Sequence, residues 1–243
     1  MDAVLKIYPD KDKLAEKLAR DVVDRLKLLL AVKDQVDIAI SGGSTPLLFF
    51  SKLEEMKPDI NWEQVKVYWV DERCVPPDHP ESNYGAAYRA FIRPLGIPQS
   101  SVFRMKGEEE PWKEAERYSE LILDNVSPDM NFPVFDMIFL GMGTDGHTAS
   151  VFPGQEHVWE ANALCTVGVH PSGQNRITMT GHLINAAARV IFLVTGEEKA
   201  DLVYDIITKQ ENSDHYPASR VNPVNGELEW YLDEKAAGKV RDL

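Results

Sequence analysis

Residues 134–147 read VFDMIFLGMGTDGH, an apolar run that passes directly into a loop with three glycines. A run this apolar is typical of a strand buried on both faces of a parallel sheet, since a half-exposed strand alternates between apolar and polar positions. The three glycines allow the backbone of this loop to adopt conformations that other residues rarely adopt. This stretch therefore predicts a central parallel strand with a polar loop at its carboxyl end.

Three further apolar runs predict strands of the same kind: VDIAI (36–40), VKVYWV (65–70) and RVIFLV (189–194). Helix-like stretches lie between or after them, around 46–56, 82–92, 112–125 and 197–209, and an amphipathic helix is predicted from Lys11 to Val32. Alternating strands and helices favour an α/β protein with a doubly wound, mostly parallel sheet and flanking helices. Without a linker or repeat, we expect a single domain over residues 1–243.

The charge and hydropathy of the chain exclude several classes of partner. A net charge of -13 predicts that the surface repels nucleic acid and anionic membranes, so an anionic substrate needs a locally basic pocket. The start, MDAVLKIYPDKDK, has no apolar signal core, and no apolar run reaches the ~18 residues of a spanning helix. We expect a cytoplasmic protein that binds neither nucleic acid nor membrane.

The two cysteines, Cys74 and Cys165, are far apart and lack metal-type spacing. This predicts reduced thiols, with no disulfide framework and no zinc site. Cys74 follows Arg73, so an activated thiol is an alternative, but a buried structural cysteine is favoured.

Each predicted strand is followed by a polar loop. These loops are SGGSTP (41–46), DERCVP (71–76), GMGTDGH (141–147) and TGEEKA (195–200). In doubly wound sheets, ligands bind outside the carboxyl ends of the strands. The sequence therefore predicts that all four loops meet at one edge and form one site.

The SGGSTP loop is suited to phosphate. Gly42 and Gly43 permit a close backbone turn, Ser44 or Thr45 is expected to cap the next helix, and its first N–H groups would face an anion. The helix dipole contributes only ~0.3–1 kcal/mol, so cations must add to it. Candidate cations are Arg176 and Lys199. An ordinary capped turn is an equally good interpretation of this motif alone.

The DER segment places Asp71 and Arg73 at a strand end. Asp71 could orient a group or exchange protons, and Arg73 could meet a negative substrate group. A surface salt bridge is the alternative, and for this motif alone the favoured one.

The GMGTDGH loop matches G-x-G-x-x-G but fits a dinucleotide fingerprint poorly. Asp145 would face the pyrophosphate, Pro153 and Gly154 would end the helix early, and no acid follows the next strand-like run. The alternative is a loop that presents Asp145 and His147, since an imidazole with an ordinary pKa of ~6.5 is largely neutral at pH 7 and accepts a proton from water. A hydrogen-bonded structural histidine is preferred if the other loops are ignored.

Five motifs, spread over residues 41–199, carry a resemblance to a known family: SGGSTP, DERCVPPDHPESNYG, GMGTDGHTASVFPG, RITMT and TGEEK. On these motifs the chain resembles the 6-phosphogluconolactonases, in the superfamily that also contains glucosamine-6-phosphate deaminases. The resemblance implies a Rossmann-like fold without nucleotide, and hydrolysis of 6-phospho-D-glucono-1,5-lactone in the oxidative pentose phosphate pathway. It also implies no metal or organic cofactor. We expect a monomer or small homo-oligomer whose partner is this small phosphosugar lactone.

The resemblance also implies two groups of site residues. His147 would be the general base that deprotonates the attacking water, and the lactone would be surrounded by Asp71, Arg73, Asp145 and His147. The phosphate would be held by Ser41, Gly42, Gly43, Ser44, Thr45, Arg176 and Lys199.

Two other functions remain open at the level of sequence. The deaminases typically carry an acid just before the proline that follows the histidine, whereas this chain has Phe152 there. That difference argues against deamination or isomerisation of an amino sugar. A non-catalytic sugar-phosphate sensor is disfavoured because Asp145 and His147 are both present.

Overall fold

A parallel β-sheet forms the centre of the computed structural model, which describes residues 3–211 and 213–241. The strands, in chain order, are β1 (Val4–Tyr8), β2 (Val36–Ile40), β3 (Val65–Trp69), β4 (Asp71–Arg73), β5 (Val102–Phe103), β6 (Pro128–Asp129), β7 (Phe132–Pro133), β8 (Met137–Leu140), β9 (Cys165–Val169), β10 (Asn175–Met179), β11 (Arg189–Val194) and β12 (Glu227–Asp233). The helices are α1 (Lys11–Leu30), α2 (Ser44–Met56), α3 (Asn83–Ala87), α4 (Pro111–Asn125), α5 (Glu156–Trp159), α6 (Gly181–Ala186), α7 (Ala200–Ile207) and α8 (Glu234–Ala237). A π-helical turn, Tyr88–Ile92, continues α3, and Glu197–Lys199 forms a 3-10 turn before α7.

The central sheet has the strand order β1-β12-β11-β8-β2-β3-β5, and every neighbouring pair is parallel. The four apolar runs became β2, β3, β8 and β11, although β8 begins at Met137 rather than at Val134. Every residue of β2 and β8 is buried, as expected for strands covered on both faces. The predicted mostly parallel sheet with flanking helices is confirmed.

The helix predicted from Lys11 forms as α1 and ends at Leu30. Asp10 begins it, because its carboxylate accepts a hydrogen bond from the Lys13 backbone N–H at 2.7 Å. Its apolar face is buried, including Leu14, Leu18, Val22 and Leu26, and packs against α2 and β12.

A second, antiparallel sheet of three strands, β4-β10-β9, lies beside the first. The sequence predicted that residues 71–76 form a polar loop, whereas residues 71–73 are strand β4. The reason lies at Val70, whose N–H still donates to the Ile40 carbonyl in the parallel sheet, while its own carbonyl accepts from the N–H of Met179, the last residue of β10. The chain thus leaves one sheet and joins the other at Val70.

The point where the connections reverse lies between β2 and β8. From β2 the chain proceeds through α2 to β3 on one side, and from β8 it proceeds to β11 on the other. A crevice is expected outside the strand ends at such a point. A ligand site is therefore expected in the loops that follow β2 and β8.

Candidate active site

A pocket of about 190 Å³ opens at this crevice. All four predicted loops contribute to it, and each predicted site residue except Asp145 lines it: Ser41, Gly42, Gly43, Ser44, Thr45, Asp71, Arg73, His147, Arg176 and Lys199. Segments up to 158 positions apart in the chain (Ser41 to Lys199) are thus brought together.

The loop after β2 presents the N-terminus of α2 to the pocket. The prediction that Ser44 or Thr45 caps this helix was wrong, because Gly43 occupies the cap position with a φ of +105° and Ser44 is already helical. A glycine brings no side-chain oxygen, so the helix start has no side-chain cap. Its first N–H groups are therefore available to an anion.

Three cationic side chains, Arg73, Arg176 and Lys199, face one carboxylate, Asp71, among the charged residues that line the pocket. Arg73 and Arg176 lie directly opposite each other on β4 and β10. Within residues 3–211 and 213–241, none of the three cations has a carboxylate oxygen within 4.0 Å. The salt bridge considered for Arg73 is thus absent from the described structure.

Burial of Arg176 and Lys199 also favours the binding of an anion. Burial lowers the pKa of Arg176, and the repulsion from Arg73 lowers it further. Burial likewise lowers the pKa of Lys199. Burial outweighs the carboxylates that act in the opposite direction, Asp71 for Arg176 and Glu198 and Asp233 for Lys199, so an anionic group in the pocket would favour the charged form of both cations.

Asp71 and Glu72 lie on β4 next to Arg73 and anchor this strand. Asp71 is buried and accepts a hydrogen bond from the Ser150 hydroxyl at 2.6 Å. Glu72 is also buried and accepts from the backbone N–H groups of Arg73, Asn83 and Tyr84 at 2.7–2.8 Å. Burial raises the pKa of Glu72 in spite of these bonds. These contacts fix β4 against the start of α3.

Asp145 and His147 form a hydrogen-bonded pair beside the pocket. The Nδ1 atom of His147 lies 2.6 Å from Oδ1 of Asp145, and His147 lines the pocket whereas Asp145 does not. Burial acts to raise the pKa of Asp145, but the hydrogen bonds from His147 outweigh it and hold the pKa below its ordinary value. Asp145 therefore contacts His147 rather than the pocket.

The ring of Phe152 packs between three site groups. Its centroid lies 4.7 Å from that of His147, 5.2 Å from that of His170 and 5.6 Å from the Arg176 guanidinium carbon. Phe152 is buried. The ring therefore supports the histidine and the arginine from one side.

The sequence did not single out Asn83 or Ser150 as site residues. Both occur in the matched motifs, Asn83 after Ser82 in PESNYG and Ser150 in HTAS, but nothing in their local pattern distinguishes them from capping or packing residues. Their contacts with Asp71 cross long stretches of chain and emerge only from the fold.

The cysteines are poor candidates for chemistry. Burial raises the pKa of Cys74 to about 11 and also raises that of buried Cys165. The activated-thiol alternative for Cys74 therefore has no support. Among the described residues, no group of three or more His, Cys, Asp or Glu side chains is arranged to hold a metal ion. No helix of the described chain has the length and apolar character needed to cross a membrane.

This fold and this pocket define an α/β protein with a cation-lined pocket at the carboxyl ends of its parallel strands. The chain belongs to the family described as glucosamine-6-phosphate isomerases/6-phosphogluconolactonase, whose sequence profile matches residues 9–230.

Named relatives cover nearly the whole chain. The 6-phosphogluconolactonase of Haemophilus influenzae is 41% identical over 232 residues, which are 94% of this chain and 96% of that protein. The crystal structure of a devB protein has a TM-score of 0.90 and 39% identity, and covers 98% of this chain and 99% of its own. The 6-phosphogluconolactonase of Thermotoga maritima has a TM-score of 0.84 and 25% identity, and covers 96% and 100%.

Proposed function

We propose that this protein hydrolyses 6-phospho-D-glucono-1,5-lactone to 6-phospho-D-gluconate, with His147 as the general base. The observation that carries the proposal is that one pocket is lined both by the cations Arg73, Arg176 and Lys199 and by His147. The relatives that bear the name 6-phosphogluconolactonase support the choice of substrate.

One part of the pocket would hold the phosphate. The uncapped N-terminus of α2 supplies backbone donors, and Arg176 and Lys199 supply positive charge with no carboxylate oxygen of the described residues within 4.0 Å. The Ser41 hydroxyl donates to the Phe139 carbonyl and so orders the turn before Gly42. Phosphate contacts of this kind bind substrate and transition state alike.

The part next to His147 would carry out the hydrolysis. His147 takes a proton from a water molecule as the water oxygen attacks the C1 carbonyl carbon, which forms a tetrahedral intermediate. The bond from C1 to the ring oxygen then breaks, and His147 returns the proton to that oxygen. The product forms as a carboxylic acid at C1 with a free hydroxyl at the former ring oxygen, and the acid then loses its proton to solvent at neutral pH. Atoms and charges therefore balance with water as the only co-reactant.

Arg73 would stabilise the negative charge that develops on the substrate. Its Nη1 donates to the Glu81 carbonyl at 2.6 Å, which fixes the guanidinium, while its buried Nε has no partner among the described residues. A preorganised donor of this kind is suited to an oxyanion. General-base catalysis supplies about 10²–10⁴ in rate, which suffices for a lactone that already hydrolyses slowly in water.

Deamination of an amino-sugar phosphate fits the site less well. Phe152 lies against His147 and supplies no carboxyl group, and Asp71 is the only carboxylate among the described residues that line the pocket. A non-catalytic sensor would not need the hydrogen bond that orients His147 through Asp145.

An NMR time course of freshly prepared 6-phosphogluconolactone, with and without the protein, tests the proposal. We expect the protein to accelerate the loss of lactone signals and the appearance of 6-phosphogluconate. Glucosamine 6-phosphate, followed by ammonia release, is the comparison substrate. Lactone decay at the uncatalysed rate, or ammonia release from the amino sugar, would overturn the assignment.

A further inference from the structure

Asn83 lies in the pocket between the Gly42 turn and Asp71, and neither phosphate binding nor the base accounts for it. It is 4% exposed, so its polar side chain has been removed from bulk water. A buried amide needs partners for both of its ends. The protein supplies partners for the nitrogen end of the Asn83 amide.

The nitrogen end of the amide is satisfied by Asp71. Nδ2 donates to the Asp71 backbone carbonyl at 2.9 Å and approaches the Asp71 carboxylate at 3.4 Å. Both partners are acceptors, so the reverse orientation would place the amide oxygen against two oxygens. The backbone N–H of Asn83 donates to the Glu72 carboxylate at 2.7 Å and holds the Asn83 backbone in place.

The oxygen end of the amide is not satisfied by the protein. No hydrogen-bond donor from the described residues reaches Oδ1. This oxygen packs so closely on the Gly42 backbone that a Cβ added at Gly42 would lie 1.8 Å from it. Because Asn83 lines the pocket and its nitrogen is committed, Oδ1 is the side-chain atom left for a ligand.

We propose that Asn83 is a specificity residue whose Oδ1 accepts a hydrogen bond from a hydroxyl group of the substrate. This inference rests on the proposed function and extends it: the cations bind the phosphate, and Asn83 recognises the polyhydroxylated part. The ligand class is therefore a phosphate ester of a polyol. An analogue without the recognised hydroxyl leaves a buried acceptor unpaired, and a site of this kind rejects it.

The test measures kcat/KM for the lactone and for its three monodeoxy analogues, lacking the hydroxyl at C2, C3 or C4. We expect the unmodified protein to lose about 10-fold or more on one analogue. Asn83→Ala should lose about 10-fold on the parent lactone and discriminate less than about 2-fold against that same analogue. Asn83→Ser carries the same expectation and replaces the alanine variant if that variant does not fold.

Ser150→Ala is the matched control, since it removes the other hydrogen bond to Asp71 and leaves the Asn83 oxygen in place. Whatever its effect on rate, we expect Ser150→Ala to keep the discrimination against the analogue. If Asn83→Ala slows all four lactones by a common factor, or keeps the discrimination, Asn83 acts only by supporting Asp71 and the inference is overturned.

A binding measurement separates this inference from the proposed reaction. By calorimetry, Asn83→Ala should weaken 6-phosphogluconate about 10-fold and inorganic phosphate less than about 2-fold. Equal weakening of both ligands overturns the role of Asn83. Failure of the unmodified protein to hydrolyse the lactone overturns the proposed function, while the binding result still decides the role of Asn83.

Discussion

One carboxylate oxygen of Asp145 accepts two hydrogen bonds from His147. Oδ1 lies 2.6 Å from the ring Nδ1 and 3.1 Å from the backbone N. The lowered pKa of Asp145 means that this carboxyl is ionised at neutral pH and acts only as an acceptor. We infer that Nδ1 carries the imidazole proton, which leaves Nε2 with a free lone pair. The pair thus prepares the tautomer that a general base requires.

Removing the imidazole should slow the chemical step and leave binding intact. For His147→Ala we expect kcat to fall by about 10² or more with little change in KM, because the groups proposed to hold the phosphate lie on other loops. Steady-state kinetics on the lactone measures both constants. Turnover close to that of the unmodified protein would reject His147 as the base.

Asp145→Ala should act through the tautomer. Without the carboxylate, Nδ1 loses the acceptor that holds its proton and orients the ring, so rings that carry the proton on Nε2 lack the lone pair that accepts the proton from water. We expect kcat to fall by roughly 10–10³-fold with KM little changed. The ¹⁵N shifts of the His147 ring report the tautomer directly. An unchanged tautomer together with normal kcat would contradict this account.

Gly143 is required by the Asp145–His147 pair. A Cβ at this position would lie 2.2 Å from His147 Nδ1 and 2.6 Å from Asp145 Oδ1. Gly143→Ala should therefore displace the base and lower kcat by about 10-fold or more, with a cooperative thermal transition retained. Gly141→Ala is the comparison, because a Cβ there meets nothing within 4 Å and its effect should be smaller. Equal effects of the two substitutions would show that the crowding is unimportant.

The sequence predicted the middle of the sheet and missed β1 and β12 at one edge, for a physical reason. The four central strands are buried apolar runs that can be recognised in the sequence without knowledge of their neighbours: β2, β3, β8 and β11. On β1 and β12, however, buried Glu229 pairs with Lys6 at 3.1 Å and with Arg25 of α1 at 2.8 Å. Charged residues that neutralise each other across the fold interrupt the apolar pattern, so these strands do not stand out before the partners are known.

The same limit applies to the site. The loops that follow the buried strands could be placed from the sequence, because the fold brings strand ends together. The orientation of Asp71 could not, since it depends on Ser150, 79 positions along the chain, and on Asn83, 12 positions along. The position of Asp145 outside the pocket likewise depends on the conformation of a loop that the glycine pattern leaves open.

Loss of a cation that we propose holds the phosphate should affect binding more than chemistry. For Arg176→Ala we expect KM to rise about 10–100-fold with kcat changed much less, because a hydrogen-bonded charge is lost from both the ground state and the transition state. Calorimetry with inorganic phosphate checks the assignment independently of turnover. An effect confined to kcat would contradict a phosphate role for Arg176.

Because of Lys199, the affinity of the pocket for an anion should fall at alkaline pH. Burial lowers the pKa of its ammonium group in the free protein, so the positive charge is lost, as pH rises, earlier than for an exposed lysine. Binding of 6-phosphogluconate should therefore weaken with increasing pH through that lowered pKa. Above about pH 7 the phosphate is already largely a dianion, since its second pKa is ≈ 6, so the ligand charge contributes little.

Lys199→Arg is the matched variant for this pH dependence. A guanidinium group keeps its proton in proteins, so the weakening should begin at a higher pH in Lys199→Arg, while Lys199→Ala should bind weakly at every pH. Calorimetric titration of 6-phosphogluconate between pH 7 and pH 10 measures the three profiles. If the unmodified protein and Lys199→Arg lose affinity over the same pH range, the titrating group is not Lys199, and the charge that holds the phosphate comes from the arginines and the α2 N-terminus.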